Sequence, residues 1–156
     1  MTDSIDERLA KLGIKLPEAA APVAAYVPAL EVGGLLYISG QLPFRADGSL
    51  IVGRLGEDVD LDHGREAAMR CAVMLIAQMK KALGSLDRVE RIVKLGAFIA
   101  SDPHFTDQPK VANGASELME KVFGEAGRHA RSAVGVPVLP LGASVEIDAV
   151  VAVKAE

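Results

Sequence analysis

Hydrophobic positions change period along the chain, and each change of period marks an element. Ile5, Leu9 and Leu12 share one helical face, opposite Asp6, Glu7 and Lys11. That pattern predicts a short amphipathic helix over residues 5–12, ended by Gly13. Pro17 to Pro22 then reads as an extended connector. Strand-like runs follow at Ala24–Leu30 and Leu35–Ser39, separated by Gly33-Gly34, a dipeptide that supplies the positive φ of a tight hairpin turn. Asp47-Gly48 is a second turn signal, between Leu42–Phe44 and Leu50–Val52.

Beyond residue 60 the period becomes helical. Asp60 and Asp62 offer N-cap oxygens, and Ala68, Cys71, Ala72, Leu75, Met79 and Leu83 fall on one face. Lys80 and Lys81 suit the last turns, where the helix dipole favours cations, and Gly84 fits the stop. Ile92–Ala100 reads as a strand with apolar residues on both faces, the pattern of a central strand. A second helix starts near Pro109, buries Ala115, Leu118, Met119 and Val122, and ends at Gly124 or Gly127. Strands at Ser132–Val138 and Ser144–Val153 finish the chain, with Pro140 and Gly142 at the bend between them.

This order predicts an α+β sandwich, a mixed sheet with two long helices on one face and a short N-terminal helix besides. Residues 1–19 read as a helical extension and 20–156 as one domain. Val134, Val136, Val145, Ile147, Val151 and Val153 put apolar side chains on both sides of the sheet. Two helices cover only one side, so a second subunit is the natural cover for the other.

Composition narrows the function classes. Among 156 residues, 50% are hydrophobic but only 4% aromatic, so the core must be aliphatic. The formal charge of −4, with no basic run, argues against nucleic acid as a partner. Cys71, the only cysteine, rules out an intrachain disulfide and a thiolate metal cage, and reads as a small buried hydrophobe. The start of the chain is acidic with no apolar stretch behind it, and no apolar run approaches the ~20 residues of a membrane span. The expectation is a cytoplasmic protein with no membrane partner.

Three segments carry candidate chemistry. Tyr26 precedes Ser39-Gly40-Gln41-Leu42-Pro43; Ala130-Arg131-Ser132-Ala133-Val134-Gly135-Val136 runs on to Leu139-Pro140; and Val145-Glu146-Ile147-Asp148-Ala149 follows. In this order and spacing, over about residues 20–155, they resemble the reactive-intermediate deaminase (Rid) family, also called the YjgF or L-PSP endoribonuclease-like family. The resemblance implies a chorismate-mutase-like fold that closes as a homotrimer with clefts at the subunit interfaces. It implies hydrolysis of enamines and imines of amino-acid origin to 2-oxo acids and ammonium, with no metal and no organic cofactor. Arg131 would grip the carboxylate of a small substrate, the planar fork suiting that anion better than a lysine does. Glu146 would orient the attacking water. Tyr26, Ser39, the Gly40 N–H, Asn113 and the backbone of Ala133 would line the cleft.

The chain departs from the family pattern in places. Ala133 stands where a cysteine is frequent, which removes any thiol role. Arg128-His129-Ala130 replaces a usual phenylalanine-proline-alanine, and His129 there reads as a solvent-facing side chain. His63 and His104 have no partner at metal-ligand spacing. The N-terminal helix and the Gly53–Asp60 loop exceed the compact members and point to a longer subgroup. Two other readings stay open at this stage: a 2-oxo acid binding protein without turnover, and, with less support, an endoribonuclease.

Overall fold

The computed structural model describes residues 3–21 and 24–156, so the expected connector is seen except for Pro22. Helix α1 (Ile5–Lys11) starts with a reciprocal cap in which Glu7 N–H donates to Ser4 Oγ and Ser4 N–H donates to the Glu7 carboxylate. Its Leu9 is buried, while Arg8 Nη1 donates to the Val122 carbonyl at 3.1 Å. Helix α2 (Leu61–Leu83) is capped by Asp60, which accepts from His63 N–H at 2.8 Å, and stops at Gly84. Helix α3 (Gln108–Phe123) carries Pro109 in its first turn, where a missing N–H breaks no bond.

Five strands form one mixed sheet: β1 (Ala29–Val32), β2 (Leu35–Gln41), β3 (Val89–Ala100), β4 (Ala130–Val136) and β5 (Val145–Val153). Their spatial order is β1-β2-β5-β3-β4, with β3–β4 parallel and all other pairs antiparallel. Two helices against one face of this sheet make the chorismate-mutase-like α+β architecture expected from the order of elements. The Gly33-Gly34 hairpin joins β1 to β2, and the Asp47-Gly48 turn closes a bridge between Phe44 and Leu50.

Two strand boundaries differ from the pattern-based expectation. Pairing in the first strand begins at Ala29, not Ala24, because residues 24–28 bend and Pro28 has no N–H to donate to a ladder. The strand expected over Ser132–Val138 runs from Ala130 to Val136, and Pro137 ends it for the same reason.

The pleat decides which side chains are core. On β5, Val145, Ile147, Ala149, Val151 and Val153 are buried under the helices. Glu146, Asp148 and Val150 alternate with them onto the open face. Cross-strand partners extend that open face through Tyr37, Gly96, Phe98, Ser132 and Val134. Tyr37 and Val134, with Leu30 and Val32 at the β1 edge, are exposed in the single chain.

The two long helices touch where α3 carries Gly114. A Cβ there would overlap the backbone carbonyl of Arg65 in α2, and backbone cannot swing aside as a side chain can. Alanine favours an isolated helix over glycine by about 1 kcal/mol. Overpacking against backbone typically costs about 1–3 kcal/mol and so decides the sign here. Gly114→Ala should therefore lower the urea midpoint at unchanged slope, and a raised midpoint would show that the helices can part freely.

Candidate functional site

Arg131 lies on β4 in register with Leu95, so its side chain leaves the sheet on the helix side. Pro109, Asn113 and Ser116 stand at i, i+4 and i+7 of α3 and meet it there. Nη1 donates to Asn113 Oδ1 at 2.9 Å and to Ser116 Oγ at 3.0 Å, and Nη2 donates to the Pro109 carbonyl at 3.3 Å. Three of the five guanidinium hydrogens are thereby engaged. Among the described residues Nε–H and one Nη2 hydrogen have no partner, which leaves two donors for an incoming carboxylate. A cleft of about 270 Å³ opens beside them, with Glu120, Gly127, Arg128 and His129 completing its wall. Partial burial draws the Arg131 pKa down, but from so high a value that it stays charged.

Glu146 lines a second, larger cleft of about 560 Å³ on the open face, with Tyr26, Gly40, Gln41, Leu42, Phe44 and Leu141 among its walls. Its carboxylate lies directly over Gly40, where a Cβ would come within 2.8 Å of Cδ and Oε2. The glycine is thus needed for close approach. Burial raises the Glu146 pKa, and the Asp148 carboxylate two residues on, pointing the same way, raises it further. Asp148 is itself raised, mainly by burial. Beneath the cleft, Gln78 Nε2 donates to the Ala20 carbonyl at 2.9 Å and to Gln41 Oε1 at 3.3 Å, which ties the connector to α2.

The residues singled out from sequence therefore fall into two groups. Arg131 and Asn113 share one cleft; Tyr26, Gly40 and Glu146 share the other. Ser39 borders the second group, with its Oγ donating to the Val27 carbonyl at 2.9 Å. Ala133 lines neither cleft and packs against the core. Asn113 touches Arg131 rather than open solvent. From the strand register, Arg131 and Glu146 stand roughly 14 Å apart at Cα, two strands across and three residues along. They project from opposite faces. No single chain brings them to one small molecule.

His129 corrects the sequence reading. It is half-buried, not solvent-facing, with Nδ1 2.7 Å from the Gly127 carbonyl and Nε2 2.9 Å from Ser116 Oγ. Ser116 was not foreseen at all. Its spacing from Asn113 and Pro109 marks a polar stripe beside the buried face of α3, a signal visible in sequence but without a target until β4 is placed. Burial raises the Cys71 thiol well above its ordinary pKa, as suits a core residue. Among the described residues, no cluster of three or more His, Cys, Asp or Glu side chains could hold a metal ion, and no helix is long and apolar enough to cross a membrane.

The two clefts, on this fold, are the ground on which relatives can be compared. Residues 6–152 match the family described as "YjgF/chorismate mutase-like, putative endoribonuclease". The chain belongs to this family. It is 54% identical over 144 residues to protein TCP17 of Trypanosoma cruzi, covering 92% of this chain and 90% of that one. It is 27% identical to a 2-iminobutanoate/2-iminopropanoate deaminase of Dermatophagoides farinae, over 90% of this chain and 95% of the other. Among solved structures, Atu1372 of Agrobacterium tumefaciens, a protein of unknown function, superposes with a TM-score of 0.90 at 49% identity, covering 96% of this chain and 92% of that one.

The raised Glu146 pKa has a measurable sign. An acid whose folded pKa exceeds its unfolded value contributes stability that is present at low pH and lost as pH rises through the folded value. Glu146→Gln removes that loss. At fixed protein concentration, the variant should melt above the wild type at pH 7, and the gap should close toward about pH 3, below the ordinary glutamate range. A gap independent of pH would mean that the carboxylate is not desolvated.

Proposed function

We propose that the chain hydrolyses small imino or enamino acids to 2-oxo acids and ammonium, at sites assembled between its own copies. The observation that carries this reading is Arg131, held by α3 beside an open cleft with two donors left without partners among the described residues. The substrate carboxylate takes those donors. An enamine first gains a proton at its β-carbon and becomes the imine. Water adds to the carbon of the C=N bond, the resulting carbinolamine loses its nitrogen as ammonia while its hydroxyl gives up a proton, and a 2-oxo acid is left. Glu146 takes a proton from the water and returns one to the departing nitrogen. Burial and the Asp148 carboxylate raise its pKa, the direction that helps a carboxyl group both take and return a proton. Tyr26, Ser39 and the Gly40 N–H shape the same end of the pocket, and Asn113 serves by steadying Arg131. The deaminase relative supports the reading.

The geometry supports assembly between copies, and the family resemblance makes a homotrimer the expected form. A carboxylate and the adjacent imine carbon are a bond apart, whereas Arg131 and Glu146 of one chain face opposite ways. The site is complete only when the Arg131 edge of one copy meets the Glu146 face of the next, which also covers the exposed Tyr37 and Val134. Light scattering on dilute protein should report three chains, and a stable monomer would refute the shared site. Charge argues against an RNA substrate, since the chain carries a net −4.

Activity is tested by generating imines from a panel of amino acids and following their hydrolysis. Arg131→Lys keeps the charge but loses the fork, and should weaken 2-oxo acid binding by about 2–5 kcal/mol. Glu146→Gln should leave that affinity nearly unchanged while turnover drops about a hundredfold or more. Tight 2-oxo acid binding with no acceleration of any imine would identify a binding protein instead.

A further inference from the structure

His129 stands where the family usually has proline, and in this fold it has two partners. Nδ1 lies 2.7 Å from the Gly127 carbonyl. A carbonyl oxygen only accepts, so Nδ1 carries the hydrogen and, in the neutral ring, Nε2 keeps its lone pair. Ser116 Oγ lies 2.9 Å from that lone pair and 3.0 Å from Arg131 Nη1. The guanidinium can only donate, so the single hydroxyl hydrogen must turn to His129. Every bond in the run from Arg131 through Ser116 and His129 to the Gly127 carbonyl therefore has one permitted direction.

We propose that His129 is a positioning residue which, through the Ser116 hydroxyl, fixes the plane of the Arg131 guanidinium so that its free edge meets a ligand carboxylate. The proposal rests on the reading of Arg131 as the carboxylate clamp. An arginine side chain has several rotatable bonds, and holding it on Asn113 alone leaves rotation about that contact. Ser116 and the Pro109 carbonyl add two further points on the same helix face. A free Ser116 hydroxyl could rotate its hydrogen toward Arg131 and repel it, and the His129 lone pair prevents this. Burial keeps the imidazole pKa below its ordinary value, and the nearby Arg131 charge acts the same way, so the lone pair is available at neutral pH. A proline at this position would provide no such acceptor.

The test uses the full chain and pyruvate as the carboxylate probe, titrated by calorimetry. Asparagine at 129 can still donate to Gly127 but has nothing at the Nε2 position, whereas glutamine places an amide oxygen near it. His129→Asn and Ser116→Ala should each weaken pyruvate binding about tenfold, and His129→Gln should recover most of the loss, with circular dichroism unchanged. Nitrogen NMR of the wild type should find the His129 proton on Nδ1. Wild-type affinity in His129→Asn and Ser116→Ala, or a proton on Nε2, would overturn the proposal. Arg131→Ala separates the two ideas. If it also binds pyruvate normally, the clamp reading itself falls; if it alone loses pyruvate, the clamp stands and only the tether falls.

Discussion

The two-residue pleat of β5 and its register with β3 set where every functional side chain can go. Val145, Ile147 and Ala149 point into the helices, where they pack with their cross-strand partners Ile99, Ala97 and Leu95 in one core. Glu146 and Asp148 are then forced onto the opposite face, and the pairing Phe98↔Glu146 continues that face across β3. A one-residue slip would bury two carboxylates among aliphatic side chains, a loss no neighbouring cation could offset. The parallel β3–β4 pairing, in turn, sends Arg131 to the helix side in register with Leu95. The same alternation that builds the core thus separates the cation from the carboxylate.

Each half-site stands on rigid elements. Arg131 is held by one stripe of α3, and the adjacent face buries Val111, Ala112, Ala115 and Met119. Core packing therefore sets the rotation of α3 about its axis, and that rotation places Pro109, Asn113 and Ser116 under the guanidinium. Glu146 is held by β5 from below and by Gly40 alongside, where β2 departs from its register with β5 between Ile38 and Gln41. Such a break in the ladder re-aims the backbone locally, and here it brings Gly40 against the carboxylate.

Electrostatics differ between the two halves. The groups that accept from Arg131 are neutral, so they engage three of its hydrogens without neutralising its charge. Around Glu146 the walls are largely apolar, with Leu42, Phe44 and Leu141 close by, and the nearest like charge is Asp148. That surrounding favours the protonated acid more than water would. One half presents a fixed cation; the other presents a carboxyl group whose pKa burial and Asp148 raise.

Much of this was legible in the residues alone. The periods of 3.6 and 2 located α2, α3 and β5, because burial on one face imposes those repeats whatever the partner. The motifs around Gly40, Arg131 and Glu146 marked the candidate site, since a close approach, a planar fork and a carboxylate each require one residue type. The strand at Ala24 was overestimated because residues 24–26 bend and Pro28, though its carbonyl accepts from Ser39 N–H, has no N–H to extend the ladder. His129 was read as exposed because nothing local links it to Ser116, thirteen residues earlier on another element. Which side chains meet across elements depends on helix rotation and strand register together, and those are settled only when the whole core packs. Local sequence therefore determined the elements and the kinds of chemistry present, while the tertiary structure decided that Arg131 and Glu146 face opposite ways and that His129 reaches Arg131 through Ser116.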